Sequence, residues 1–170
     1  MKKQIGKVAG IAAVVLSIGA SAAQGALTQS ASGHGSLDGG RRQFSFSART
    51  NSDGTVAGSA TLTNRNFTGP NGNQPFKLII DISCMKVVGN LAFFGGTVKQ
   101  TNDPGFNDAV YFSVQDNGEP GGGIDKISRV ALFDDNPNTT GNPQLCQGNV
   151  ENDGYLPLET IEDGNIQVRN

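Results

Sequence analysis

Between Gln43 and Arg49 the chain reads QFSFSAR, placing Phe44, Phe46 and Ala48 on one side of an extended backbone and Ser45, Ser47 and Arg49 on the other. A period of two is the repeat of a β-strand with one buried face. Turn residues bound the run, with Gly39-Gly40 before it and Asn51-Ser52-Asp53-Gly54 after it. Glycine supplies backbone conformations that other residues resist, and Asn and Asp cap turns with their side chains. The same punctuation recurs along the chain, whose 24 glycines show no Gly-X-Y period and no heptad. The pattern predicts an all-β domain.

Gly33 to Leu37 is expected to form a hairpin with the Phe44 strand through Gly39-Gly40. Thr55 to Asn64 places Val56, Gly58, Ala60 and Leu62 on one face, small enough for close approach of a neighbouring chain. Phe76 to Val88, FKLIIDISCMKVV, is the longest apolar run and is expected to be central. A strict alternation there puts Phe76, Leu78, Ile80, Ile82 and Cys84 on one face, with the cysteine pointing into the core. Gly89-Asn90 is a tight turn, and Leu91 to Lys99 returns. Ala109 to Gln115 and Ile124 to Phe133 follow, then short runs at Gln144 to Val150 and Ile166 to Val168. The expectation is an antiparallel meander of about eight or nine short strands, closing as a barrel or folding as a sandwich so that few edges stay open.

The chain opens with three lysines in seven residues, then the uncharged run Val8 to Ala20, then Ala20-Ser21-Ala22. This is the pattern of a signal peptide, and the run is too short to cross a hydrocarbon core of about 30 Å as a helix. Residues 1–22 are read as a cleaved leader, 23–32 as a flexible lead-in and 33–170 as one β domain. The mature protein is expected to be secreted, periplasmic or on the cell surface, with no membrane span. Three of the 13 basic residues fall in the leader, leaving ten against 15 acids, a net of −5. With no Lys/Arg cluster, this argues against nucleic acid and anionic membranes as partners. Arg41-Arg42, the one basic pair after the leader, is read as a solvated strand start. Cys84 and Cys146 are expected to form one disulfide, as two cysteines in an exported protein usually do.

Chemistry-bearing patterns are sparse. The single histidine, His34, lies in a glycine-rich stretch and is read as exposed, which leaves no base for a Ser-His-Asp triad. Asp116, Glu119, Asp125, Asp134 and Asp135 offer carboxylates for a glycosidase-like pair, but all sit in or beside turns. Asp116, Asn117, Glu119 and Asp125 also supply closely spaced oxygens of the kind calcium takes, without EF-hand spacing. Calcium is therefore the candidate cofactor, and these four are its candidate ligands. Tryptophan is absent and tyrosine is limited to Tyr111 and Tyr155, so stacking platforms for a surface glycan are few. Asn66-Phe67-Thr68 and Asn138-Thr139-Thr140 match a glycosylation sequon, read as coincidental beside a bacterial-looking leader.

The stretch Tyr111 to Val130, YFSVQDNGEPGGGIDKISRV, resembles a motif of small secreted bacterial post-COAP-type β domains: a strand, an Asp-Asn-Gly-Glu-Pro-Gly turn, an Asp, and a second strand. The Gly33 to Ser47 pattern and the place of the Cys84 strand are similar too. The resemblance covers about Gly33 to Asn170, and departs at Ile127, where an aromatic is more usual, and in a longer glycine run. It brings no known activity and implies an extracellular accessory or interaction module. The resulting expectation is a non-catalytic extracellular or cell-surface binding module of unknown ligand. A secreted hydrolase using turn carboxylates and a structural envelope component are the alternatives.

Overall fold

The structure is a computed structural model that describes residues 28–68, 72, 76–103, 109–118, 124–132, 141–147 and 157–170. The expected leader, Glu119, Asp134-Asp135, the second sequon and Tyr155 lie outside these residues. Among the described residues there are ten strands, β1 (Ser30–Leu37), β2 (Arg42–Thr50), β3 (Val56–Asn64), β4 (Phe76–Val88), β5 (Leu91–Thr101), β6 (Ala109–Gln115), β7 (Lys126–Ser128), β8 (Ala131–Leu132), β9 (Leu158–Thr160) and β10 (Asp163–Arg169). All belong to one antiparallel sheet, in the order β10-β1-β2-β3-β4-β5-β6-β7-β9, with β8 paired to β6. A single sheet decides against the sandwich. β4 occupies the middle of the order, as its apolar run predicts.

The sheet curls into a half-barrel. Its two ends, β9 and β10, are separated in the chain by Ile161 and Glu162 alone. In a flat sheet β2 and β6 would lie four strand spacings, about 19 Å, apart. Instead the Phe46 ring of β2 lies 5.8 Å from Phe112 of β6 and 5.2 Å from Phe94 of β5. Phe94 and Phe112 face each other across the β5–β6 ladder and stack at 4.6 Å. Around these rings the inner face buries Ala31, Ala48, Ala60, Leu78, Ile80, Ile82, Met85, Val110, Val114 and Ile166.

Close packing at the first hairpin explains the glycines of β1. Gly33 pairs with Phe46, and Gly35 with Phe44. A Cβ on Gly33 would lie 2.8 Å from the Phe46 ring, and one on Gly35 would lie 2.8 Å from the Phe44 ring. The rings thus fill the space that side chains on β1 would take. β1 opens at Ser30, paired on both sides, so the stretch read as a lead-in over 23–32 already contributes three strand residues.

The expected direction of Cys84 is corrected. The β4–β5 register shifts between Ile82 and Cys84, so alternation breaks at Ser83. Beyond the break Met85 joins the inner core, while Cys84 is buried in a second cluster with Ala109, Tyr111 and Cys146. A 3₁₀ turn, Pro143–Gln147, lies against β4, β5 and β6 and carries Cys146. That turn stands where the run Gln144 to Val150 had suggested a strand. Cys84 and Cys146 are at disulfide distance, with Cα atoms 6.1 Å apart. Gln147 donates to the Met85 carbonyl at 2.8 Å, Gln144 to that of Ser83 at 3.1 Å, and the Tyr111 hydroxyl to that of Asn142. Burial pushes the Tyr111 phenol above its ordinary range, which keeps it a donor. With both faces covered, every residue of β6 from Ala109 to Val114 is buried.

The described part of the Ile124–Phe133 run, which ends at Leu132, forms two short strands rather than one. β7 pairs Ile127 with Val114, whereas β8 pairs Ala131 with Tyr111, one residue out of register. At the break the Ser128 hydroxyl accepts from the Ser113 amide at 2.8 Å and donates to the Arg129 carbonyl at 2.8 Å. Among the described residues, no helix is long and apolar enough to cross a membrane.

Candidate functional site

The structure brings three of the four candidate calcium ligands together, in a backbone clasp at the seam of the sheet. Ile166 and Val168 of β10 lie opposite Gly33 and Ala31 of β1. Being two residues apart, their amides point to one edge of the strand. At that edge the Ile166 N–H donates to Asp125 Oδ2 at 2.7 Å, and the Val168 N–H donates to Asp116 Oδ2 at 2.8 Å. The second oxygens are also engaged: Asp125 Oδ1 accepts from the Asn117 amide at 2.8 Å, and Asp116 Oδ1 from the Gly118 amide at 2.9 Å. Asn117 Nδ2 donates to the Ile124 carbonyl at 2.7 Å. Asn90, from the β4–β5 turn, donates to the Asp116 carbonyl at 2.7 Å.

Two carboxylates therefore stand where a neighbouring strand would have supplied carbonyls. Charged acceptors make short, strong bonds to backbone amides, and Asp125 is buried. A cation shared by Asp116 and Asp125 would have to take oxygens toward which four amide hydrogens already point. Among the described residues no group of three or more His, Cys, Asp or Glu is placed to hold a metal. His34 lies exposed on β1 between Ser45 and Asn165.

A cavity of about 540 Å³ opens at the other end of the curled sheet. Leu37, Phe44, Leu62, Phe76, Leu78, Ile127 and Val130 supply apolar walls, and Asp38, Arg42 and Arg129 supply charges. The volume is in the range of small-molecule sites, and barrel mouths are a recurrent place for them.

The cavity rim is held by an ion-pair chain that sequence reading missed. Arg42 is not the solvated residue expected at a strand start: it is in phase with Phe44 and Phe46, and its side chain is only 15% exposed. Its Nε donates to Asp38 Oδ2 at 2.7 Å, and its Nη2 donates to Glu159 of β9. Arg129 Nε donates to the other Glu159 oxygen at 2.7 Å. The hydrogen bond from Arg42, aided by Arg129 and opposed by partial burial, holds the Glu159 carboxyl below the usual glutamate range. Glu159 pairs with inward-facing Ile127, so it meets Arg42 across the mouth. Period-two phase was the signal available for Arg42. Nothing local marked Glu159, because its strand has three residues.

No protein-family model matches the chain, and no curated protein or solved structure does.

Proposed function

We propose that this protein is an exported, non-catalytic β module that takes a small apolar molecule into the mouth of its curled sheet. The observation that carries this reading is the apolar-walled cavity at Leu37, Phe44, Leu62, Phe76 and Val130, set in a rim of paired charges. A rim locked by ion pairs keeps the walls apart, so little ordering remains for a ligand to impose. Export is supported by the leader pattern of residues 1–22 and by the Cys84–Cys146 pair, which persists in oxidising compartments.

The binding reading is favoured over a hydrolase built on Asp116 and Asp125, because these two carboxylates bind backbone amides and do not line the cavity. Kinship with post-COAP-type domains belongs to the same proposal. The clasp gives a physical reason for a turn of this kind, since its two aspartates anchor the last strand.

The reading is tested with the neutral fluorophore N-phenyl-1-naphthylamine. Saturable binding is expected, weakened by Leu62→Trp, which fills the cavity, and not by Thr97→Trp on the outer face of β5. Absence of binding, or equal weakening by both variants, would refute it.

A further inference from the structure

The charges around the cavity select among apolar ligands, an inference that rests on the reading above. Among the described residues, three charged side chains line the space, one acid (Asp38) and two arginines (Arg42 and Arg129). They are not equivalent. Arg42 is mostly covered, and its Nε and Nη2 are taken by Asp38 and Glu159. Asp38 already accepts from Arg42 at 2.7 Å. Arg129 is different: its side chain is 73% exposed, and its only ion pair among the described residues is through Nε to Glu159. That bond orients the guanidinium and leaves both Nη groups, the fork that grips a carboxylate, without a protein partner among those residues.

The backbone explains why Arg129 stands at this place. It lies in the break between β7 and β8, where Ser128 ties its carbonyl to the strand and the register slips by one residue. Bulges of this kind re-aim a side chain beside a site. Its neighbours Ile127, Ser128 and Val130 line the same cavity, so the fork sits where an apolar wall meets solvent. An amphiphile with its body against Phe44, Leu62 and Val130 would carry its head to that position.

We infer that the ligand is a small monoanionic amphiphile, an aliphatic or aromatic carboxylic acid, whose head is received by Arg129. A single negative charge suits a rim in which Asp38 and Glu159 stand close by, whereas a dianion would meet both of them.

The test displaces N-phenyl-1-naphthylamine from the full disulfide-bonded protein with dodecanoic acid, dodecanol and dodecyltrimethylammonium at neutral pH. The acid is expected to bind at least tenfold more tightly than the alcohol, and the cation more weakly than either. Arg129→Gln is expected to bring the acid-to-alcohol ratio close to one, while Arg49→Gln, outside the cavity, keeps it. Equal affinities of acid and alcohol, a preference for the cation, or an unchanged ratio in Arg129→Gln would overturn the head-group assignment and leave the cavity reading standing. Failure of every probe, the neutral fluorophore included, would remove the cavity reading and this inference with it.

Discussion

The Asp125 carboxylate accepts the Ile166 amide at 2.7 Å, joining two residues 41 positions apart across the seam of the sheet. Asp116 does the same for Val168. The last strand is thus held on one side by a backbone ladder to β1 and on the other by two side chains. An edge strand with unpaired amides is a template for unwanted pairing, and here the acids occupy those amides.

This arrangement predicts the response to calcium. Thermal melts in millimolar calcium and in excess chelator are expected to superimpose, since the oxygens of Asp116 and Asp125 already receive amide hydrogens. A midpoint several degrees higher in calcium would show that the turn binds the ion, with Glu119 a further candidate ligand.

Gly95 tests the packing of the 3₁₀ turn. A Cβ there would lie 2.0 Å from the Pro143 carbonyl oxygen, which is backbone and cannot swing away. Gly95→Ala is expected to cost about 1–3 kcal/mol, as overpacking does, measured by urea denaturation. A change within a few tenths of a kcal/mol would mean that the turn does not sit against β5.

The disulfide ties that turn to β4. Closing a loop of sequence separation 62 stabilises by roughly 4 kcal/mol in the chain-entropy view. Reduction, confirmed by thiol titration, is expected to lower the melting temperature. An unchanged melt would show that the bridge adds no stability.

The limits of legibility follow from these same residues. Phe44, Phe46 and Ala48 are buried as their alternation requires, and Ala60 and Leu62 face the same core. The long apolar run is the central strand. Alternation failed at Ser83, because a bulge is a property of two strands in register and leaves no mark in one of them. The run Gln144 to Val150 suggested a strand, but its described part, Gln144 to Gln147, is held in a 3₁₀ turn by the buried Cys146 and by the bonds of Gln144 and Gln147 to β4 carbonyls, while Leu145 stays exposed. The acidic turn offers its carboxylates plainly in the sequence, but their partners include the amides of Ile166 and Val168, and backbone amides carry no sequence signature. The cavity was invisible because its walls come from five separate stretches of chain.

Acid should weaken the cavity rim. The Glu159 carboxyl is held below the ordinary glutamate range in the fold, chiefly by the hydrogen bond from Arg42. A carboxyl depressed in this way contributes stability above its unfolded pKa and loses it as pH falls through the folded value. Denaturation midpoints of the parent protein should therefore fall between neutral pH and the region below the usual glutamate pKa, and Glu159→Gln should reduce that fall. An identical pH profile in the variant would mean that the Arg42–Glu159 pair adds nothing to stability.

Hydrogen exchange at Ile166 and Val168 tests the clasp most directly, because neither amide has a backbone acceptor on its side of β10. Both are predicted to be protected in the parent protein. In Asp125→Ala, Ile166 should exchange at least tenfold faster while Val168 stays slow, with a stability loss on the order of 3 kcal/mol for stranding amides bonded to a buried charge. Fast exchange at both amides in the parent protein, or unchanged protection of Ile166 in the variant, would contradict closure of the seam by carboxylates.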